Sequence, residues 1–114
     1  MLHKDLENGR WAELTFPQQM ANIGSETFRT LKAIESGNER RAEEAFSRAQ
    51  ELIDLTIKYG RADDPSGREA MLEELCRFRE VFCASYLLKD SRELKALNKY
   101  LDAFAFIARR RAII

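Results

Sequence analysis

The sequence predicts an all-α chain folded as an up-down antiparallel four-helix bundle. Three observations carry this. Breakers divide the chain into four long stretches. Apolar residues recur at steps of three and four inside each stretch, the period of a half-buried helix. Alternation of apolar and polar residues, which would mark a strand, never persists.

Residues 1–14 read as a lead-in, with Asn8-Gly9 a turn and Trp11 and Leu14 free to pack on the body. Residues 15–114 read as one domain. Thr15 suits the N-cap of the first helix, and Pro17 in its first turn removes no needed hydrogen bond. That helix runs to about Ser36. Gly37 follows, a residue suited to the left-handed C-terminal position. Its stripe is Phe16, Met20, Ile23, Leu31 and Ile34. Asn38 caps the second helix, which ends at about Tyr59 before Gly60 and buries Ala42, Ala45, Ala49, Leu52 and Ile53. Asp64-Pro65 opens the third, which ends at about Leu88 and carries Met71, Leu75, Phe78, Phe82 and Tyr86. Asp90 and Glu93 have capping-box spacing for the fourth, which starts at Ser91 with Leu94, Leu97, Leu101, Phe104 and Ala108 on its stripe. Helices of about twenty residues are roughly 30 Å long, and short connections between equal helices favour antiparallel neighbours.

Composition bounds the function. The 114 residues carry 19 basic and 19 acidic side chains, a formal charge of zero. A strongly basic nucleic-acid binder is therefore disfavoured. No apolar run approaches the roughly twenty residues of a membrane span. The opening residues, Met-Leu-His-Lys-Asp-Leu-Glu, place acids where a signal peptide is apolar. Cys76 and Cys83 lie about 10 Å apart along one helix, too far for a disulfide within it. Free thiols in a reducing cytoplasm are expected, packed as small buried hydrophobes.

Catalytic and metal chemistry lack their residues. His3 is the one histidine. Neither zinc spacing nor the Glu-x-x-His pairs of a di-iron bundle occur, and a nucleophilic cysteine would have no base. No cofactor motif is present, so no catalytic residue, metal ligand or cofactor is assigned. Gly24, isolated in the first helix, costs about 1 kcal/mol relative to Ala. Close approach of a neighbouring helix is preferred to a ligand pocket as its reason.

Arg79 is the most informative polar residue, because it falls within the stripe of Leu75, Phe82 and Tyr86. Arg48 and Glu26 fall at stripe edges. A buried guanidinium without a partner costs several kcal/mol, so it should meet an acid or an anion. An interhelical pair, with Glu26 the leading partner, is preferred to convergence of Arg48 and Arg79 on a phosphate-like anion. Arg109-Arg110-Arg111 complements the dipole of the last helix in preference to binding nucleic acid. Phe106 and Ile113, one heptad apart with Arg110 between them, lie opposite the core stripe. They form either a contact surface or a strip covered by the lead-in.

Ala21-Asn22-Ile23-Gly24-Ser25-Glu26, Arg48-Ala49 leading into Leu52-Ile53-Asp54-Leu55-Thr56, and Arg77-Phe78-Arg79-Glu80 together resemble a group of small prokaryotic helical proteins. The resemblance covers Trp11 to Ala108 and implies a compact helical bundle, with no activity to transfer. A looser architectural likeness is to the HEPN class, which includes toxin ribonucleases and nucleotide-associated modules. That class's catalytic Arg followed by His is missing here. The reading is a non-enzymatic cytoplasmic bundle that binds another protein or a second copy of itself, as a homodimer through Phe106, Arg110 and Ile113. The alternative is a HEPN-like nucleotide- or RNA-associated domain holding an anion through Arg48 and Arg79.

Overall fold

A computed structural model describes residues 10–60 and 65–113, with residues 65, 66 and 104–113 described by their backbone alone. His3, the Asn8-Gly9 turn and Asp64 lie outside the described residues. After one turn of 3-10 helix at Trp11–Glu13 come α1 (Phe16–Glu35), α2 (Glu39–Tyr59), α3 (Pro65–Leu87) and α4 (Ser91–Ile113). The described residues hold no strand, and the chain is an all-α four-helix bundle.

Local chemistry sets the ends. The Thr15 hydroxyl accepts from Gln18 N while Gln18 Oε1 accepts from Thr15 N, a complete capping box. Asn38 Oδ1 accepts from Arg41 N, and Asp90 Oδ1 from Glu93 N. Gly37, with φ +73°, stops α1 in the left-handed region. Gly60 ends α2 for a different reason. Its φ is −63°, and a Cβ there would stand 2.4 Å from Thr56 O. Arg68 then donates to Ile57 O and Gly60 O, placing a cation on the last carbonyls of α2.

α1 packs closely on α2 and α4, while α3 stands farther from α2 and α4. Side-chain size explains the difference. Ala42, Ala45 and Ala49 are buried on α2, so two backbones can approach. Gly24 does the same toward α4, where Leu101 Cβ lies 3.2 Å from an added Cβ. The reason expected for Gly24, close helix approach, matches this geometry. Between α2 and α3 the spacers are rings. Phe46 stacks on Tyr86 with centroids 4.0 Å apart and sits 5.1 Å from Phe82, which stacks on Phe78 at 5.8 Å. Phe78 and Phe82 are buried, and a fully buried ring of this kind contributes about 1.5–3 kcal/mol, whereas Phe46 and Tyr86 are half-buried.

Trp11 packs on the body, as the lead-in reading expects. It is 1% exposed and joins the core cluster with Met20, Ile23, Ile53 and Leu75. Its Nε1 donates to Thr56 Oγ1 at 3.0 Å, and its carbonyl accepts from Gln19 Nε2 at 2.9 Å. Thr56 Oγ1 in turn donates to Leu52 O at 2.8 Å. A buried indole N–H needs a partner, and a threonine on α2 supplies it. Trp11 is thus tied to α2; the strip of Phe106 and Ile113, which the lead-in would cover in one of its two readings, has side chains outside the described residues.

Candidate functional site

Glu26 is the centre of the described polar residues. It leaves α1 beside α2, and its side chain is 8% exposed. Arg29 Nη1, one turn along α1, donates to Oε1 at 2.6 Å. Arg48 Nε, from α2, donates to Oε2 at 3.0 Å. One carboxylate thus holds two guanidiniums, and the cluster keeps a net positive charge. Such charge-assisted bonds are short and fix the position of the arginines.

Beside this cluster, α1 and α2 enclose an open groove of about 390 Å³. Arg29, Lys32, Arg41 and Arg48 line it with Phe28, over a floor that includes Ala33 and Ala45. Glu44 is the acid in the lining, and Arg40 Nε donates to it at 3.2 Å. Phe28 is 50% exposed, with Lys32 Nζ 5.4 Å from its ring centroid. The side chain of Arg41 has no ion pair among the described residues. Sequence reading missed Phe28, Arg29, Lys32 and Arg41. The available signal was Phe28 itself, an aromatic off the core stripe of α1, next to Arg29 and four residues from Lys32.

Arg79 does not meet Glu26. Its Nη2 donates to Asp54 Oδ1 at 2.5 Å and to Gln50 O at 3.2 Å, both on α2. Arg79 therefore makes the expected interhelical pair with a different acid, because Glu26 faces α2 from α1 and is already held by Arg48. Arg48 and Arg79 are not brought together: one bonds α1, the other reaches α2 from α3. Asp54 is 68% exposed, so Arg79 snorkels to the surface and the pair is a weak one.

A second surface lies between α3 and α4. Phe78, Val81, Leu97 and Tyr100 line it, with Arg77 and Glu74 at its edge, and Tyr100 donates to Glu74. Leu87 and Leu88, at the α3–α4 turn, are 75% and 78% exposed. The side chains of Phe106, Arg110 and Ile113 lie outside the described residues, as do those of Arg109 and Arg111. The cysteines differ from expectation. Cys76 is exposed, and Cys83 is half-buried with its sulfur accepting from Gln50 Nε2 at 3.4 Å. Both sit on the flank of the α3 stripe, and α3 stands far enough from its neighbours to leave that flank open.

Among the described residues, no group of three or more His, Cys, Asp or Glu could hold a metal, and no helix is long and apolar enough to cross a membrane. No family model matches the chain, and neither does a curated protein or a solved structure.

Proposed function

We propose that this chain acts by binding another protein, and that the α1–α2 groove is the surface it offers. One observation carries the reading. A half-exposed aromatic ring, Phe28, sits among cations that a buried carboxylate anchors. Aromatic rings and arginines are the side chains on which protein interfaces concentrate their energy. The anchoring lowers the ordering cost of binding, since Arg29 and Arg48 are already held.

The anion-binding alternative, a nucleotide- or RNA-associated role, draws support from Arg48, which lines the groove. It draws none from Arg79, which Asp54 engages elsewhere. The zero net charge also weighs against a polyanion as long as RNA. A homodimer through Phe106, Arg110 and Ile113 is a separate proposal, read by light scattering on Phe106→Glu. It requires a wild-type dimer that dissociates into folded monomers.

A photo-reactive side chain in place of Phe28, in the full chain expressed in its own cells, tests the docking role. The expected result is a discrete protein adduct that excess unlabelled chain abolishes. The same group in place of Lys99, exposed on α4, should not give that adduct. No adduct at position 28, or one that nuclease removes, overturns the reading.

A further inference from the structure

We infer that the partner seated in the α1–α2 groove is an acidic amphipathic helix, with carboxylates about one heptad apart around a large apolar side chain. The inference rests on the protein-docking reading above and names the chemistry of its partner.

The cations are spread along the groove and do not converge. The lining of α1 runs from Phe28 to Ser36, and that of α2 from Arg41 to Arg48. At helical rise these are roughly 12 Å and 10 Å. Because α2 returns antiparallel to α1, Arg48 stands near Arg29 at one end and Arg41 near Ser36 at the other. A single phosphate is held by donors that meet around it within hydrogen-bond distance. Donors spread over about 10 Å suit several separate carboxylates. Seven residues of helix rise by about the same length, so acids one heptad apart reach both ends.

Charge and shape agree. The lining carries four cations, Arg29, Lys32, Arg41 and Arg48, against one acid, Glu44. Glu44 is engaged by Arg40, Arg29 and Arg48 by Glu26, and Lys32 by Glu35 at 3.5 Å. Arg41 is thus the lining cation with no ion pair among the described residues, and the five cations of this cluster still outnumber its three acids. Complementary potential therefore calls for a negative occupant. Phe28, with its half-exposed ring, calls for an apolar side chain on that same occupant. Two adjacent helices over a floor with alanines form a trough of the kind a third helix fills.

The test is a displayed library of random helical peptides panned on the full-length protein. Enriched peptides should be acidic, with a large apolar residue between the acids. A labelled representative should bind more weakly as salt rises, and about tenfold more weakly to Arg41→Glu. Arg41 lies in the first turn of α2, where a carboxylate suits the helix dipole, so this change leaves folding intact. Lys32→Glu, checked for folding by circular dichroism, should weaken binding in the same direction. Enriched peptides that are neutral or basic overturn the inference, as does binding indifferent to both charge reversals. An oligouridylate that displaces the peptide at lower concentration than the peptide itself also overturns it. The photo-adduct at position 28 separates protein docking from the acidic chemistry of the partner. A protein adduct that survives Arg41→Glu keeps the docking role and removes the acidic partner. Absence of any protein adduct removes both.

Discussion

The turns between α1 and α2 and between α3 and α4 have the same hydrogen bonds. In the first, Gly37 N donates to Ile34 O at 3.0 Å and Asn38 N to Ala33 O at 2.8 Å. In the second, Lys89 N donates to Tyr86 O at 3.0 Å and Asp90 N to Ser85 O at 2.8 Å. Each turn holds one left-handed residue, then a side chain that caps the next helix. The left-handed residue is Gly37 in one and Lys89, with φ 52°, in the other. The helices they join are packed differently. α1 and α2 meet through alanines, at close range, and leave a charged groove outside. α3 meets its neighbours through Phe78, Phe82 and Tyr86, at longer range, and leaves leucines and a cysteine exposed. Identical local geometry therefore says nothing about how a hairpin faces its surroundings. Side-chain volume on the inner face sets the spacing, and spacing decides which flanking residues stay wet.

Changing side-chain volume in each half should have the largest effect. Phe82→Ala should cost about 3–5 kcal/mol by denaturant unfolding, because the ring is fully buried and the cavity cannot close. Ala49→Leu should cost about 1–3 kcal/mol, because α1 and α2 have no room for it. A harmless Ala49→Leu would show that the two helices can part without loss.

Next come the two acids that hold arginines, Glu26 and Asp54. Glu26→Ala should cost about 2 kcal/mol. A full loss of about 3–5 kcal/mol belongs to completely buried pairs, whereas Arg29 and Arg48 keep part of their surface in water. Asp54→Ala should cost less than about 1 kcal/mol, since that acid is exposed. Equal losses in chemical denaturation would mean that the two acids do not differ in burial.

The turns differ by smaller amounts. Gly37→Ala should destabilise by about 1 kcal/mol, the cost of a Cβ in the left-handed region. Lys89→Gly should stabilise by up to about 1 kcal/mol, less whatever its bridge to Glu39 contributes. Thermal midpoints moving the same way in both variants would contradict the shared geometry.

The smallest effect is a pH dependence. Lys89 Nζ lies 2.8 Å from Glu39 Oε1, linking the two turns. The hydrogen bond from Lys89 holds the Glu39 carboxyl below its ordinary value, and Glu39 holds the Lys89 ammonium above its own. Folding gains from Glu39 above the carboxylate's unfolded pKa and loses that gain as pH falls through the depressed folded value. It gains from Lys89 below the amine's unfolded pKa and loses that as pH rises through the raised folded value. Glu35, lowered by the hydrogen bond from Lys95, adds to the acid side in the same sense. Melting curves of wild type and Lys89→Met should converge at both extremes of pH and differ between them. Parallel curves throughout would remove the linkage.

The helices were legible because their signals are local. Thr15, Gly37, Asn38, Gly60 and Asp90 act on backbone groups a few residues away, whatever the rest of the chain does. The stripes likewise follow from a fixed turn of about 100° per residue. Lys89 escaped notice as a helix stop, because nothing but its position after α3 distinguishes it from an ordinary lysine.

Sequence alone set the four helices and, within the described residues, their inner faces, and it marked Glu26, Arg48 and Arg79 as side chains in need of partners; the Asp64 cap and the side chains of Phe104 and Ala108 lie outside the described residues. Tertiary structure decided which partners they took. Arg48 lies close enough to claim Glu26 from α2, and Arg79, coming from α3, finds Asp54. The burial of Trp11, the exposure of Cys76 and the groove beside Phe28 were decided in the same way. The physical reason is that periodicity specifies a direction around one helix and carries no interhelical distance. A flank becomes core, groove or solvent only when the volumes on two neighbouring helices set how far apart they stand.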